Sequence, residues 1–208
     1  MQEQCDACSN RADDRSHSAD LFLDESNPHS GATWQGLLTV NEYVSPDPAL
    51  TWSLYVPGWP DGNSSADVMI DWIPLEGTSW RGMEGAQVEC TEAEAPISAY
   101  IYDGCHYAFD YVHIQVLRQV GTTARFAIEL ADCDEIISFE LADGTVLETD
   151  RPLYATVDAR FDGIRMQLDA DRELAEFTDT SGLAYNAVSG LYEPVDTGTT
   201  ACGSKMGL

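Results

Sequence analysis

From residue 33 to residue 168 the chain is built of short runs whose apolar residues recur at every second position, the period of a strand rather than a helix. In Arg125-Phe126-Ala127-Ile128-Glu129-Leu130 the side chains of Phe126, Ile128 and Leu130 share one face. Runs of this kind cover 33–44, 51–56, 67–73, 86–90, 97–102, 107–117, 123–130, 135–141, 154–161 and 164–168. Turn chemistry separates them: Pro60-Asp61-Gly62-Asn63, Asp103-Gly104, Asp143-Gly144 and Asp162-Gly163. Each Asp-Gly pair tolerates positive φ and so suits a tight hairpin. Residues 131–149 read as strand, Asp-Gly turn, strand.

Ten or more short antiparallel strands with this punctuation predict an all-β protein, a β-sandwich or jelly-roll. Helical spacing is confined to 170–177, where Leu174 and Phe177 lie three apart and Asp171 falls in the first turn. At most one short helix is therefore expected. Residues 1–30 are polar apart from Leu21-Phe22-Leu23 and predict an arm or tether. Residues 31–195 predict a single domain, and residues 196–208 a Gly- and Thr-rich tail anchored by Cys202. With 208 residues, one well-filled core is within reach.

Charge narrows the possible partners. The chain has 36 acidic against 10 basic residues, a net charge of -26, and Lys205 is its single lysine. Hydrophobic residues still make up 44 %, so this is a folded protein with an acidic surface and not a disordered polyanion. Such a surface repels phosphate backbones, which makes nucleic acid and anionic membranes poor partners. A salt-adapted surface, kept hydrated and screened, accounts for the same composition. No apolar run reaches membrane-spanning length. Met1-Gln2-Glu3-Gln4 has neither the basic start nor the apolar stretch of an export signal.

The even set Cys5, Cys8, Cys90, Cys105, Cys133 and Cys202 predicts disulfide staples formed in an oxidising compartment. An extracellular, periplasmic or cell-surface location follows, with a trimmed mature chain. Fifteen pairings are open. Cys5-Asp6-Ala7-Cys8 has C-x-x-C spacing, but no second pair completes a zinc ribbon, and Ser9 stands where haem attachment needs histidine.

Familiar catalytic motifs are absent from the sequence. Of His17, His29, His106 and His113, the last two fall on one predicted strand seven apart, which places them on opposite faces. Asp71, between Ile70 and Trp72, and Asp110, between Phe109 and Tyr111, interrupt apolar strands. A pair of carboxylates is all that a glycoside hydrolase requires. Calcium is a second use for abundant acid, since it takes six to eight oxygens from flexible loops. The 61–67 loop offers Asp61, Asn63, Ser65 and Asp67 at alternate positions, and Asp169, Asp171 and Glu173 form a second set. Neither set is an EF-hand. Asn63-Ser64-Ser65 is also a glycosylation sequon.

All five tryptophans, Trp34, Trp52, Trp59, Trp72 and Trp80, fall between residues 34 and 80. Trp34, Trp52 and Trp72 sit in strand-like runs and belong to the core. Trp59 and Trp80 sit in Gly-flanked segments and are candidates for a platform on which sugar rings stack. The combined expectation is an exported, non-catalytic binding module with calcium-ordered loops that recognises carbohydrate or protein. Two alternatives stand beside it: a self-associating structural subunit of an extracellular layer or filament, and a carboxylate-based polysaccharide hydrolase.

Overall fold

The alternating runs become thirteen strands among the described residues of the computed structural model, which are 31–41, 45–59, 66–75, 79–91, 97–103, 106–131, 137–140, 144, 146–149, 152–168 and 173–195. The strands are β1 (Thr33–Asn41), β2 (Ser45–Trp59), β3 (Ala66–Ile73), β4 (Gln87–Thr91), β5 (Ser98–Tyr102), β6 (His106–Phe109) and β7 (Tyr111–Val120). They continue as β8 (Thr123–Ala131), β9 (Ile137–Glu140), β10 (Val146–Thr149), β11 (Leu153–Gln167), β12 (Leu183–Asn186) and β13 (Leu191–Pro194). The protein is all-β, and most of it is one curled sheet in the order β4-β7-β8-β11-β1-β2-β3-β5-β6. The β12–β13 hairpin joins this sheet through β11, and β9 and β10 pair separately.

Two features curl the sheet. The strands β6 and β7 lie towards opposite ends of its order yet are consecutive in the chain, joined through Asp110. In addition, β1 runs parallel to β11, from Thr33 opposite Arg160 to Thr39 opposite Gln167. All other pairings are antiparallel, so the expectation of a wholly antiparallel sheet is corrected at this seam. A parallel pair needs a long crossover, and here the chain between β1 and β11 supplies it.

The inward face of the curl is one apolar cluster. Trp34 lies at its centre, with ring centroids 5.1 Å from Trp52, 4.7 Å from Phe161 and 5.9 Å from Phe126. Gly36 makes room for this cluster, since a Cβ there would meet Ile164 at 3.0 Å and Trp52 at 3.2 Å. Burial of each such aromatic stabilises the fold by about 1.5–3 kcal/mol. Rings fill the interior, so the curl holds side chains at its centre.

Several local expectations change. Asp162-Gly163 is not a hairpin turn. It is a bulge inside the continuous strand β11, where Trp34 faces Phe161 and Gln35 faces Gly163. Gly163 has φ of 133°, and a side chain there would meet the Tyr192 carbonyl oxygen at 2.6 Å, so glycine admits β13 at close range. The helix expected at 170–177 is a single 3₁₀ turn, Leu174–Glu176, with residues 170–172 outside the described set. Leu174 anchors the turn in the core, and the Glu173 N–H donates to Glu176 Oε1 at 3.0 Å.

The predicted opposition of His106 and His113 also fails. Phe109 and Val112 are both buried, so the alternation slips by one across Asp110 and turns both histidines outward. Of the six cysteines, Cys90 is buried in the core, and Cys5, Cys8, Cys105, Cys133 and Cys202 lie outside the described residues, as do the expected arm and tail. No helix among the described residues is long and apolar enough to cross a membrane.

Candidate functional site

Trp59 and Trp80 do not form a platform. They are 1 % and 2 % exposed, with no indole face turned to solvent. Trp59 closes β2 opposite Ala66 at the edge of the core. Trp80 stacks on Phe161 with centroids 4.7 Å apart, and the Arg81 guanidinium covers it at 4.6 Å. Both rings lie inside the core, with Gly58 at φ 69° beside Trp59 and the Gly82 N–H donating to the Ser79 carbonyl at 3.1 Å beside Trp80.

The expected calcium ligands are only partly placed. Asp61, Asn63, Asp169 and Asp171 lie outside the described residues. Asp67 is in β3, where its Oδ2 accepts the Tyr55 hydroxyl at 2.9 Å and its Oδ1 accepts the Gly58 N–H at 3.2 Å. Glu173 is exposed at the start of the 3₁₀ turn. Among the described residues no three His, Cys, Asp or Glu side chains gather as a metal-binding group.

A different site emerges on the outer face of β1, β2, β3 and β5. Their registers align outward side chains in rows across the strands. One row runs Thr33, Tyr55, Met69, Tyr100, and a neighbouring row brings Gln35 opposite Ser53 and Asp71 opposite Ser98. A recess of about 260 Å³ opens here, lined by Thr33, Gln35, Ser53, Leu54, Tyr55, Met69, Asp71 and Asp162. Among the described residues the side chains of Thr33, Gln35, Ser53 and Asp71 have no hydrogen-bond partner.

The tyrosines are held more firmly. Tyr55 donates to Asp67, and Tyr100 donates to Met69 Sδ at 3.3 Å. Burial pushes the Tyr55 hydroxyl above its usual pKa of 10.0, helped by the hydrogen bond to Asp67 and by the Asp67 charge. Burial raises Tyr100 in the same direction, with the Asp71 charge as the second cause. Beyond Tyr100 the face continues as an aromatic patch, with His106 4.9 Å from Tyr100 and 5.0 Å from Tyr102, which is 45 % exposed.

The backbone beside the recess is strained. Trp72 has φ of 60°, the only positive value at a non-glycine among the described residues. Trp52 pairs with Ile73 and Leu54 with Ile70, so β3 has an extra residue at Asp71-Trp72. A bulge position of this kind usually falls to glycine, and holding a bulky residue there costs about 1–3 kcal/mol. The bulge turns two consecutive side chains partly outward, Asp71 among them.

The sequence reading did not single out Gln35, Ser53, Tyr55 or Tyr100. Their signal was their place on the polar side of alternating strands. Tyr100, Tyr102 and His106, spaced around Asp103-Gly104, were the most readable of the face.

No known protein family, curated protein or solved structure matches this chain.

Proposed function

We propose that this protein is an exported, non-catalytic recognition module that binds carbohydrate across the outer face of β1, β2, β3 and β5. The recess beside Tyr55 and Tyr100 carries the reading, because the side chains of Thr33, Gln35, Ser53 and Asp71 that line it have no hydrogen-bond partner among the described residues. A sugar matches that chemistry: its hydroxyls meet Gln35, Ser53 and Asp71, and its C–H faces meet tyrosine rings. From β1 to β5 the face spans about 14 Å at roughly 4.8 Å per strand step, room for more than a single ring.

In this reading the curled sheet is a β-sandwich of jelly-roll type, stapled by disulfides among the six cysteines and working outside the cytoplasm. Calcium belongs to it through the 61–67 loop, because Asp67 ties the end of that loop to Tyr55. Thermal unfolding in EDTA, in calcium and in sodium chloride of matched ionic strength tests the ion. A calcium-specific gain of about 2.7 kcal/mol is expected at a hundredfold excess over Kd. An equal gain from sodium chloride would assign the acid to surface adaptation.

Titration calorimetry with soluble oligosaccharides tests the ligand. Binding by the wild type, weakened about threefold to tenfold in Tyr100→Ala, is expected from the loss of one stacking ring. Failure to bind any sugar would overturn the reading. Release of new reducing ends during the titration would replace it with the hydrolase.

A further inference from the structure

We infer, building on the carbohydrate reading above, that the sugar taken by this face carries free amino groups, as in an oligomer of glucosamine, and that Asp71 receives the ammonium. Two carboxylates line the recess, Asp71 and Asp162. Asp162 is already engaged by Arg160, whose guanidinium stands 2.9 Å from Asp162 Oδ1. Asp71 has no such partner among the described residues. An ionised carboxylate only accepts hydrogen bonds. A neutral sugar would satisfy that capacity and leave the charge uncompensated, whereas an ammonium satisfies both.

The surroundings favour a cation for independent reasons. Tyr55 and Met69 line the recess and Tyr100 adjoins it through its bond to Met69 Sδ, aromatic rings and a polarisable sulfur of the kind against which ammonium groups rest. The Asp71 charge already reaches Tyr100, where it helps to hold the phenol protonated. A net charge of -26 raises the local concentration of any cationic ligand and repels uronic or sulfated sugars. Thr33, Gln35 and Ser53 distinguish an amino sugar from a simple amine, because they answer hydroxyls that a polyamine lacks. The Asp71-Trp72 bulge keeps strain where it turns this carboxylate outward, and Asp71 is the residue on which ligand charge would register.

The test is calorimetry at fixed ionic strength with four probes: hexamers of glucosamine, of N-acetylglucosamine, of glucose and of lysine. Wild type, Asp71→Asn and Glu84→Gln are compared, the last removing one charge from an exposed acid that does not line the recess. The glucosamine hexamer should bind about tenfold or more tightly than its acetylated counterpart, the size of one charge-assisted hydrogen bond. Asp71→Asn should erase that preference, Glu84→Gln should keep it, and Asp71→Glu should restore part of it. Equal binding of all three sugars would overturn the amino-sugar inference and leave carbohydrate binding standing. Binding of no sugar would overturn both. Lysine hexamer binding as tightly as glucosamine hexamer would mean a basic peptide is the ligand. Equal loss in Asp71→Asn and Glu84→Gln would mean general charge attraction, with no site at Asp71.

Discussion

On the outer wall made by β4, β7, β8 and β11, polar side chains are matched to one another. Arg125 holds Asp158 with two bonds of 2.8 and 2.7 Å, Tyr154 donates to Glu129 at 3.0 Å, and Tyr111 donates to Glu89 at 3.0 Å. His113 Nδ1 stands 3.9 Å from the other Glu129 oxygen. On the wall made by β1, β2, β3 and β5, Thr33, Gln35, Ser53 and Asp71 find no hydrogen-bond partner among the described residues around a recess. Both walls cover the same core and obey the same alternation. They differ only outside. Cross-strand pairs worth about 0.2–1 kcal/mol each stabilise the first wall, whereas the second forgoes them and retains a strained tryptophan. A surface that gives up stability in this way is available for an external partner.

The largest expected effect abolishes the contrast. Trp34→Ala removes the ring that touches Trp52, Phe126 and Phe161 beneath both walls. It should cost about 3–5 kcal/mol in urea denaturation. A cost below about 1 kcal/mol would show that the two walls do not share this support.

The next pair separates the walls. Arg125→Ala should lower stability by up to about 1 kcal/mol, since the pair is half-exposed, and leave sugar binding unchanged. Gln35→Ala should weaken sugar binding and hold stability within about 0.5 kcal/mol, because no internal bond is lost. Denaturation and calorimetry on the same two proteins check both halves. The reverse pattern would exchange the roles of the walls.

The walls should also fail at opposite ends of the pH scale. The hydrogen bond from Arg125 holds Asp158 below its usual 3.8, with the Arg125 and Arg118 charges adding to it against some desolvation. That contribution is intact above pH 3.8 and is lost as acid protonates the folded carboxylate. Tyr55 and Tyr100 are raised above 10.0, so their contribution is intact below pH 10.0 and is lost as alkali ionises them. Arg125→Gln should therefore flatten the acid limb of the stability profile. Asp67→Asn should bring Tyr55 back towards 10.0 in an ultraviolet tyrosinate titration.

These contrasts mark where the sequence was readable. Period-two alternation located strands such as β8 and β3, because one face of each is buried and the polarity pattern records it. Asp143-Gly144 and Asp103-Gly104 do separate paired strands. Asp162-Gly163 misled because positive φ serves a bulge as well as a turn, and the close approach of Tyr192 comes from far along the chain. Trp59 and Trp80 misled because flanking glycines look the same whether a ring points out or folds over the core. The β12–β13 hairpin, with strands of four residues each and little alternation, left no pattern to find. The recess was the least readable feature. Gln35, Ser53, Asp71 and Asp162 meet only because β1 lies between β2 and β11, and nothing local to these residues announces that order.

The most direct measurement is amide chemical-shift mapping during titration with the glucosamine and N-acetylglucosamine hexamers. Shifts confined to residues 33–35, 53–55, 69–71 and 98–102, with 125–130 and 154–158 unmoved, are the predicted result. Shifts centred on β7, β8 and β11, with the recess silent, would contradict the assignment of the unmatched wall as the binding face.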